Sequence, residues 1–361
     1  MAYTNIDDPS AYFQVATYTG TGSTQSITND GNSNLKPDWV WVKSRSNGGT
    51  NNVVFDSSRG VNNRLITNLT IAEDTGDGYG VVSAFNTDGF TVNPQTNLIN
   101  VGGDGYTYVA WQWKANGGTT STNTDGSINT TVQSNSTAGF NIITYTGTGG
   151  GETLGHGLGV APDMWIVKRR SGTGSWAVGF NDSSILGGTS NYLILQSAAA
   201  TSTYNNFWGS SPANSNVMRI AGDSTIGGSG STYVAYVFAQ KQGYSKFGSY
   251  VGNGVANNGP FVYLGFKPAF VMIKSTAATG AHYLWDTKRN PFNGADDTLN
   301  AAEADAETSN GIMTVDILSN GFKIKNTGAN NGTNQSGTKY VYYAFAENPF
   351  VTSTGIPTTA R

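Results

Sequence analysis

At 361 residues, with 20 Lys and Arg set against 23 Asp and Glu, the chain is long enough for several domains and too weakly charged for a nucleic-acid binder, which needs clustered cations over a whole face. Only 12% of residues are charged, but 12% are aromatic, which separates this Gly-, Asn-, Thr- and Ser-rich composition from that of disordered chains. The lack of cysteine excludes disulfides and thiolate metal sites, and no apolar run is long enough to cross a bilayer as a helix.

In chain order, residues 1–11 read as an N-terminal arm. Met1-Ala2-Tyr3-Thr4-Asn5 has neither the basic nor the apolar region of a signal peptide. A composition typical of exported β proteins without such a signal suits a protein assembled on a particle in the cytoplasm and released by lysis. Beyond the arm the chain repeats itself. Pro37-Asp38-Trp39-Val40-Trp41-Val42-Lys43 returns as Pro162-Asp163-Met164-Trp165-Ile166-Val167-Lys168 and as Pro268-Ala269-Phe270-Val271-Met272-Ile273-Lys274, at spacings of 125 and 106 residues. Tyr18-Thr19-Gly20-Thr21-Gly22, Tyr145-Thr146-Gly147-Thr148-Gly149 and Tyr250-Val251-Gly252-Asn253-Gly254 precede these copies. Tyr108-Val109-Ala110-Trp111, Tyr233-Val234-Ala235-Tyr236 and Tyr340-Val341-Tyr342-Tyr343 follow them. A repeat of this length is a whole domain, well above the roughly 20–50 residues of solenoid units.

Each copy alternates apolar residues with period two, and both faces of the Pro-led strand are apolar, as in a central strand covered on two sides. Asn-Gly pairs, together with Asp88-Gly89 between Phe85 and Phe90, supply hairpin turns. Helix signals are few, and Ala301 to Glu307 reads as a helical turn or loop. The expected fold is all-β: three tandem β-sandwich modules, jelly-roll or immunoglobulin-like, at residues 12–118, 138–243 and 244–351, each with its own aromatic core. Residues 119–137 read as a Ser/Thr/Asn-rich linker or long loop, and 352–361 as a C-terminal tail. Modules two and three, with no such stretch between them, should be fixed relative to each other.

Chemistry-bearing residues are sparse. His156 reads as a loop histidine and His282 as a surface or packed strand residue. Glu73-Asp74-Thr75-Gly76-Asp77-Gly78 lacks the alternating ligands and terminal Glu of a calcium loop. Asp56, Asp182 and Asp286 each follow an apolar strand and read as strand-end residues, not as an acid–base pair. Lys168-Arg169-Arg170 reads as a solvated run, and no Gly-x-Ser-x-Gly elbow opens a helix. Most strand tryptophans, Trp39, Trp41, Trp111 and Trp113 among them, read as core. No catalytic, metal or cofactor site is expected, and no ligand-binding residue can be named.

Tyr3-Thr4-Asn5-Ile6-Asp7-Asp8-Pro9-Ser10-Ala11-Tyr12-Phe13-Gln14, Gly243-Tyr244-Ser245-Lys246-Phe247-Gly248-Ser249-Tyr250 and Gly259-Pro260-Phe261-Val262-Tyr263 together resemble proteins of marine and other aquatic tailed bacteriophages. So do Leu318-Ser319-Asn320-Gly321-Phe322-Lys323 and Ala344-Phe345-Ala346-Glu347-Asn348-Pro349-Phe350. The resemblance covers essentially the whole chain and implies a virion structural or tail-fibre-type protein, without supplying a catalytic motif. The expectation is a non-enzymatic protein on the outside of a phage particle, a tail fibre or spike contacting the host surface and its glycans. A capsid decoration or head appendage is the first alternative and a glycan-degrading depolymerase the second. Expected partners are other virion proteins and copies of the chain itself, trimer before dimer, with neither nucleic acid nor membrane insertion. Residues 1–11 are expected to anchor the protein to the particle and to be dispensable for folding.

Overall fold

A computed structural model describes residues 2–75, 81–94, 99–100, 105–277, 280–309, 311–326 and 332–359. The fold is almost entirely β, with 42% strand and 2% helix, and its sheets are antiparallel. Each repeat builds one large sheet by the same rule. The strand carrying the last marker lies at the centre, between the strand that opens the repeat and the Pro-led strand. In the first repeat Thr107–Trp113 pairs with Phe13–Thr19 and with Trp39–Ser44. Thr232–Phe238 pairs likewise with Phe140–Thr146 and Met164–Arg169, and Lys339–Pro349 pairs with Ser245–Val251 and Phe266–Ser275. Proline stands just before the first two Pro-led strands, while Pro268 lies inside the third at a register shift, a position that tolerates the missing N–H.

The alternation along these strands separates two cores. Val40 and Val42, with Val53, Phe55 and Ala110, pack on the first repeat's small sheet through Ile27, Phe90 and Val92. In the second repeat Trp165, Val167 and Ala235 do the same with Leu154, Met218 and Ile220. The hairpins that shape the small sheets fall where Gly permits them. Phe85 pairs with Phe90 across Asp88-Gly89, Gly89 has φ +87°, and Leu318 pairs with Gly321.

The opposite faces of the large sheets meet one another, so beside the separate cores of the first and second repeats a further aromatic core is shared by all three. Trp39, Trp41, Trp111 and Trp113 of the first repeat, Phe140, Met164, Ile166, Tyr236 and Phe238 of the second, and Phe270, Met272, Tyr343 and Phe345 of the third form one buried cluster. Trp39 stacks on Tyr236 with centroids 4.4 Å apart, Phe13 on Phe345 at 5.2 Å, and Phe238 contacts Phe345 at 5.7 Å. Equivalent positions converge on a pseudo-threefold axis. The residual cavity there is about 10 Å³ and is lined by Trp39, Met164 and Phe270 with their neighbours. An apolar gap of that size stays dry.

Two expectations change here. Residues 119–137 are not a free linker: Ser121–Asn123 and Thr130–Asn135 extend the second repeat's large sheet. Their polar composition suits an outer position at one end of the sheet, and threonine is a good strand former. Val132 enters the second core, and the buried Gln133 amide donates to Ser57 and Ser58 of the first repeat. The N-terminal arm, likewise, is not a detached anchor. Ile6 and Thr4 are buried, Thr4 Oγ1 donates to the Gln242 carbonyl, and the Tyr3 hydroxyl donates to that of Gly265. Deleting residues 1–11 should therefore destabilise the protein by at least about 2 kcal/mol, because it removes a buried aliphatic side chain and, with the bonds of Tyr3 and Thr4, those of Asp7 with Ser353 and Asp8 with Ser33. Urea denaturation of the truncated chain checks this, and an unchanged midpoint would refute it.

Candidate functional site

A set of buried charged groups lies in the seams between repeats. Register places Asp56 opposite Trp39, Phe180 opposite Met164, and Asp286 opposite Phe270, so these three positions correspond. In the first and third repeats the chain turns after this residue and returns an arginine three positions later. Arg59 donates to Asp56 through Nε, to the Asn63 carbonyl and Glu73 Oε2 through Nη1, at 3.0 and 2.8 Å, with its side chain fully shielded. Arg289 copies it, donating to Asp286 Oδ2 at 2.7 Å, the Asp297 carbonyl at 2.9 Å and Glu307 Oε2 at 2.8 Å.

Each glutamate then bridges to the neighbouring repeat. Glu73 accepts from Arg170 and Glu307 from Arg45, and their own N–H groups donate to the carbonyls of those same arginines at 2.9 and 2.7 Å. The aspartates also cross the seam: the Tyr236 hydroxyl donates to Asp56 at 2.7 Å and Trp111 Nε1 to Asp286 at 3.0 Å. At the third seam, between the second and third repeats, the corresponding residues are uncharged. Thr201 N–H donates to the Thr276 carbonyl at 3.0 Å, and Phe180 faces Tyr343 with ring centroids 5.5 Å apart. Both buried polar and apolar solutions thus fill one quasi-equivalent position.

A lysine is the next-to-last residue of each Pro-led strand and staples the ring. Lys43 Nζ donates to the Glu303 carbonyl of the third repeat, Lys168 to Thr70 of the first, and Lys274 to Ala198 and Ala199 of the second. The ring closes head to tail, with every repeat holding the next. Burial lowers all three lysines to about 8, with Arg289 adding to the effect at Lys43 and Arg169 at Lys168. They stay charged at neutral pH, as their carbonyl partners require. Lys168 is therefore not solvated, and Arg170 is an interface residue.

Burial alone would raise the carboxyls of Glu73 and Glu307. The paired arginines outweigh it, and both end below the ordinary 4.5. A carboxyl lowered in the folded state adds stability above its unfolded pKa and loses it as pH falls through the folded value. The melting temperature should therefore fall as pH drops from about 5 to about 3. Glu73→Gln/Glu307→Gln should be less stable at neutral pH and show a flatter acid limb. Parallel acid limbs in a thermal melting series would contradict the assignment.

The remaining sequence candidates lie apart from these seam carboxylates. His156 is buried, its Nδ1 accepts from Leu158 N–H at 3.2 Å, and its Nε2 lies 2.9 Å from the Asn214 carbonyl. His282 is buried beside Tyr343, and burial together with Lys274 holds its pKa well below the ordinary histidine value. Asp182 is exposed and caps the four-residue helix Ser183–Leu186 by accepting from Ser184 N–H. Asp74 pairs with Arg64; Gly76, Asp77 and Gly78 lie outside the described residues. The glutamates and arginines of the seams were missed in the sequence, where only their repetition beside the Pro-led strand could have marked them. A family model described as a domain of unknown function, DUF7483, matches residues 8–349. No curated protein and no solved structure matches the chain.

Proposed function

For a chain that belongs to the DUF7483 family, we propose a non-enzymatic structural role on the exterior of a tailed bacteriophage virion, as a tail-fibre or spike-type appendage that contacts the host surface. Its architecture on this reading is three tandem β-sandwich modules locked into one ring. The observation that carries the proposal is the head-to-tail closure by Lys43, Lys168 and Lys274 around a shared aromatic core. The buried ionic groups of this chain hold repeats together, where a hydrolase would aim its carboxylates into a cleft. Such closure favours a rigid body that keeps its shape outside the cell, and the sequence resemblance supports the same setting.

Other virion proteins are the proposed partners. Homo-oligomerisation belongs to the same reading and would use outer surfaces, because the faces at the axis are already occupied within one chain. Light scattering at micromolar concentration tests that part. The role itself is tested by mass spectrometry and antibody labelling of density-purified particles. The expected result is a fixed copy number with label on the tail. Absence from particles would overturn the proposal, and label confined to the head would replace the tail reading with capsid decoration.

A further inference from the structure

The three small sheets offer an internal comparison. Ile27, Leu154 and Val262 correspond, since they pair with Phe90, Met218 and Phe322 and all point into the interior. Their neighbours along the strand are Ser26 and Thr28 in the first repeat, both exposed, and Thr153 and Gly155 in the second, which the chain at Asn123 and Ser127 covers. In the third they are Phe261 and Tyr263, which are 47% and 49% exposed. The first repeat leaves this face open without aromatics, so folding does not require them.

Cations and a second phenol surround the two rings. The Phe261 ring lies beside Gly321, whose missing side chain leaves room first for the Val262 carbonyl, as Gly89 does for that of Ile27. Lys323 stands opposite Phe261 in register and donates to Asn258 Oδ1 at 2.8 Å. Lys246 Nζ lies 5.4 Å from the Tyr263 ring centroid and donates to the Tyr263 carbonyl at 2.9 Å. The Tyr3 hydroxyl, delivered by the N-terminal arm, comes 3.4 Å from the Tyr263 hydroxyl. Asp316, opposite Lys323, accepts from Gly294 N–H at 3.1 Å. Among the described residues Lys246 has no carboxylate partner.

We propose that this face binds an acidic oligosaccharide, with the sugar rings stacked on Phe261 and Tyr263 and a sugar carboxylate on Lys246. The inference rests on the reading of the protein as a surface-contacting appendage. Aromatic faces pair with the C–H face of a pyranose, the two phenol hydroxyls offer hydrogen bonds to its rim, and the ammonium supplies a charge-assisted bond to carboxylate. Positions two residues apart on a strand are about 7 Å apart, which calls for a chain of at least two sugars. The uncompensated lysine selects a negative ligand over a neutral one.

The test uses the full chain on an immobilised panel of uronate- and sialate-containing oligosaccharides beside neutral ones of equal length. Acidic chains should bind. Phe261→Ser/Tyr263→Thr, which copies the first repeat and should leave the melting temperature unchanged, should weaken them at least tenfold. Lys246→Met should abolish the preference for acidic over neutral chains. Failure of every acidic chain, binding that survives the double variant, or use of this face to hold another particle protein would each overturn the assignment. Glycan binding by a protein absent from particles would refute the virion role and leave the site standing.

Discussion

Replacing Arg59 by Met should cost about 3–5 kcal/mol, because Asp56 would lose its ionic partner in a seam from which water is excluded. The loss reaches beyond one ion pair. Arg59 also holds Glu73, which carries Arg170 of the second repeat, and its Nη2 lies 3.4 Å from the Tyr236 hydroxyl that donates to Asp56. The corresponding position of the second repeat shows how the seam manages without charge: Phe180 replaces the aspartate, and Ile185 and Leu186 join the core. Exchanging Asp56→Phe together with Arg59→Leu should accordingly be far milder than either single change, since no buried ion is left alone. Urea denaturation of the two single variants and the double variant gives the coupling. Additive losses would show that Asp56 and Arg59 do not act as a unit. Arg289→Met should behave like Arg59→Met, with Asp286 and Trp111 in the corresponding places.

How much of this was legible in the sequence follows from what each feature depends on. The alternation of Trp39 and Trp41 with Val40 and Val42 specifies a strand covered on both faces, and Asp88-Gly89 specifies a hairpin, because both signals are local. The valine face meets a sheet of its own repeat, which the repeat length also implied. The tryptophan face meets other repeats, and nothing within one copy says so. Read alone, Trp39 is a core residue of a module; only the fold shows that its stacking partner is Tyr236, in the next repeat. The seam charges hid for the same reason: Arg170 and Glu73 are 97 positions apart. Sequence-level reasoning gives Lys168-Arg169-Arg170 to solvent, the default for a charged run. Residues 121–135 misled through composition, since Thr and Asn at the outer edge of a sheet resemble those of a loop. Neither the pairing of Phe261 with Lys323 nor the approach of Tyr3 could be read before the small sheet and the arm were in place.

Freed from its neighbours, the second repeat should not persist as a folded monomer. Residues 138–243 alone would expose Phe140, Ile142, Met164, Ile166, Tyr236 and Phe238 on one face, every one of them buried in the full chain. At about 1.5–3 kcal/mol for each large apolar side chain, six of them represent roughly 9–18 kcal/mol of burial. The stability of a whole domain is only about 5–15 kcal/mol. The isolated repeat would also lose Lys168's bond to Thr70 and Arg170's to Glu73, and with residues 119–137 missing it would lack the strands Ser121–Asn123 and Thr130–Asn135. Restoring those strands by starting at residue 119 repairs the sheet but leaves the apolar face uncovered, so the longer fragment discriminates between the two causes. Size-exclusion chromatography with near-ultraviolet circular dichroism should show it aggregated or associated through this face, without the fixed tertiary signal of a monomer. A monodisperse monomer with native-like tryptophan dichroism would mean that each repeat holds its own core. The closed ring would then be an arrangement of stable domains, and the seams would lose their place as the source of rigidity.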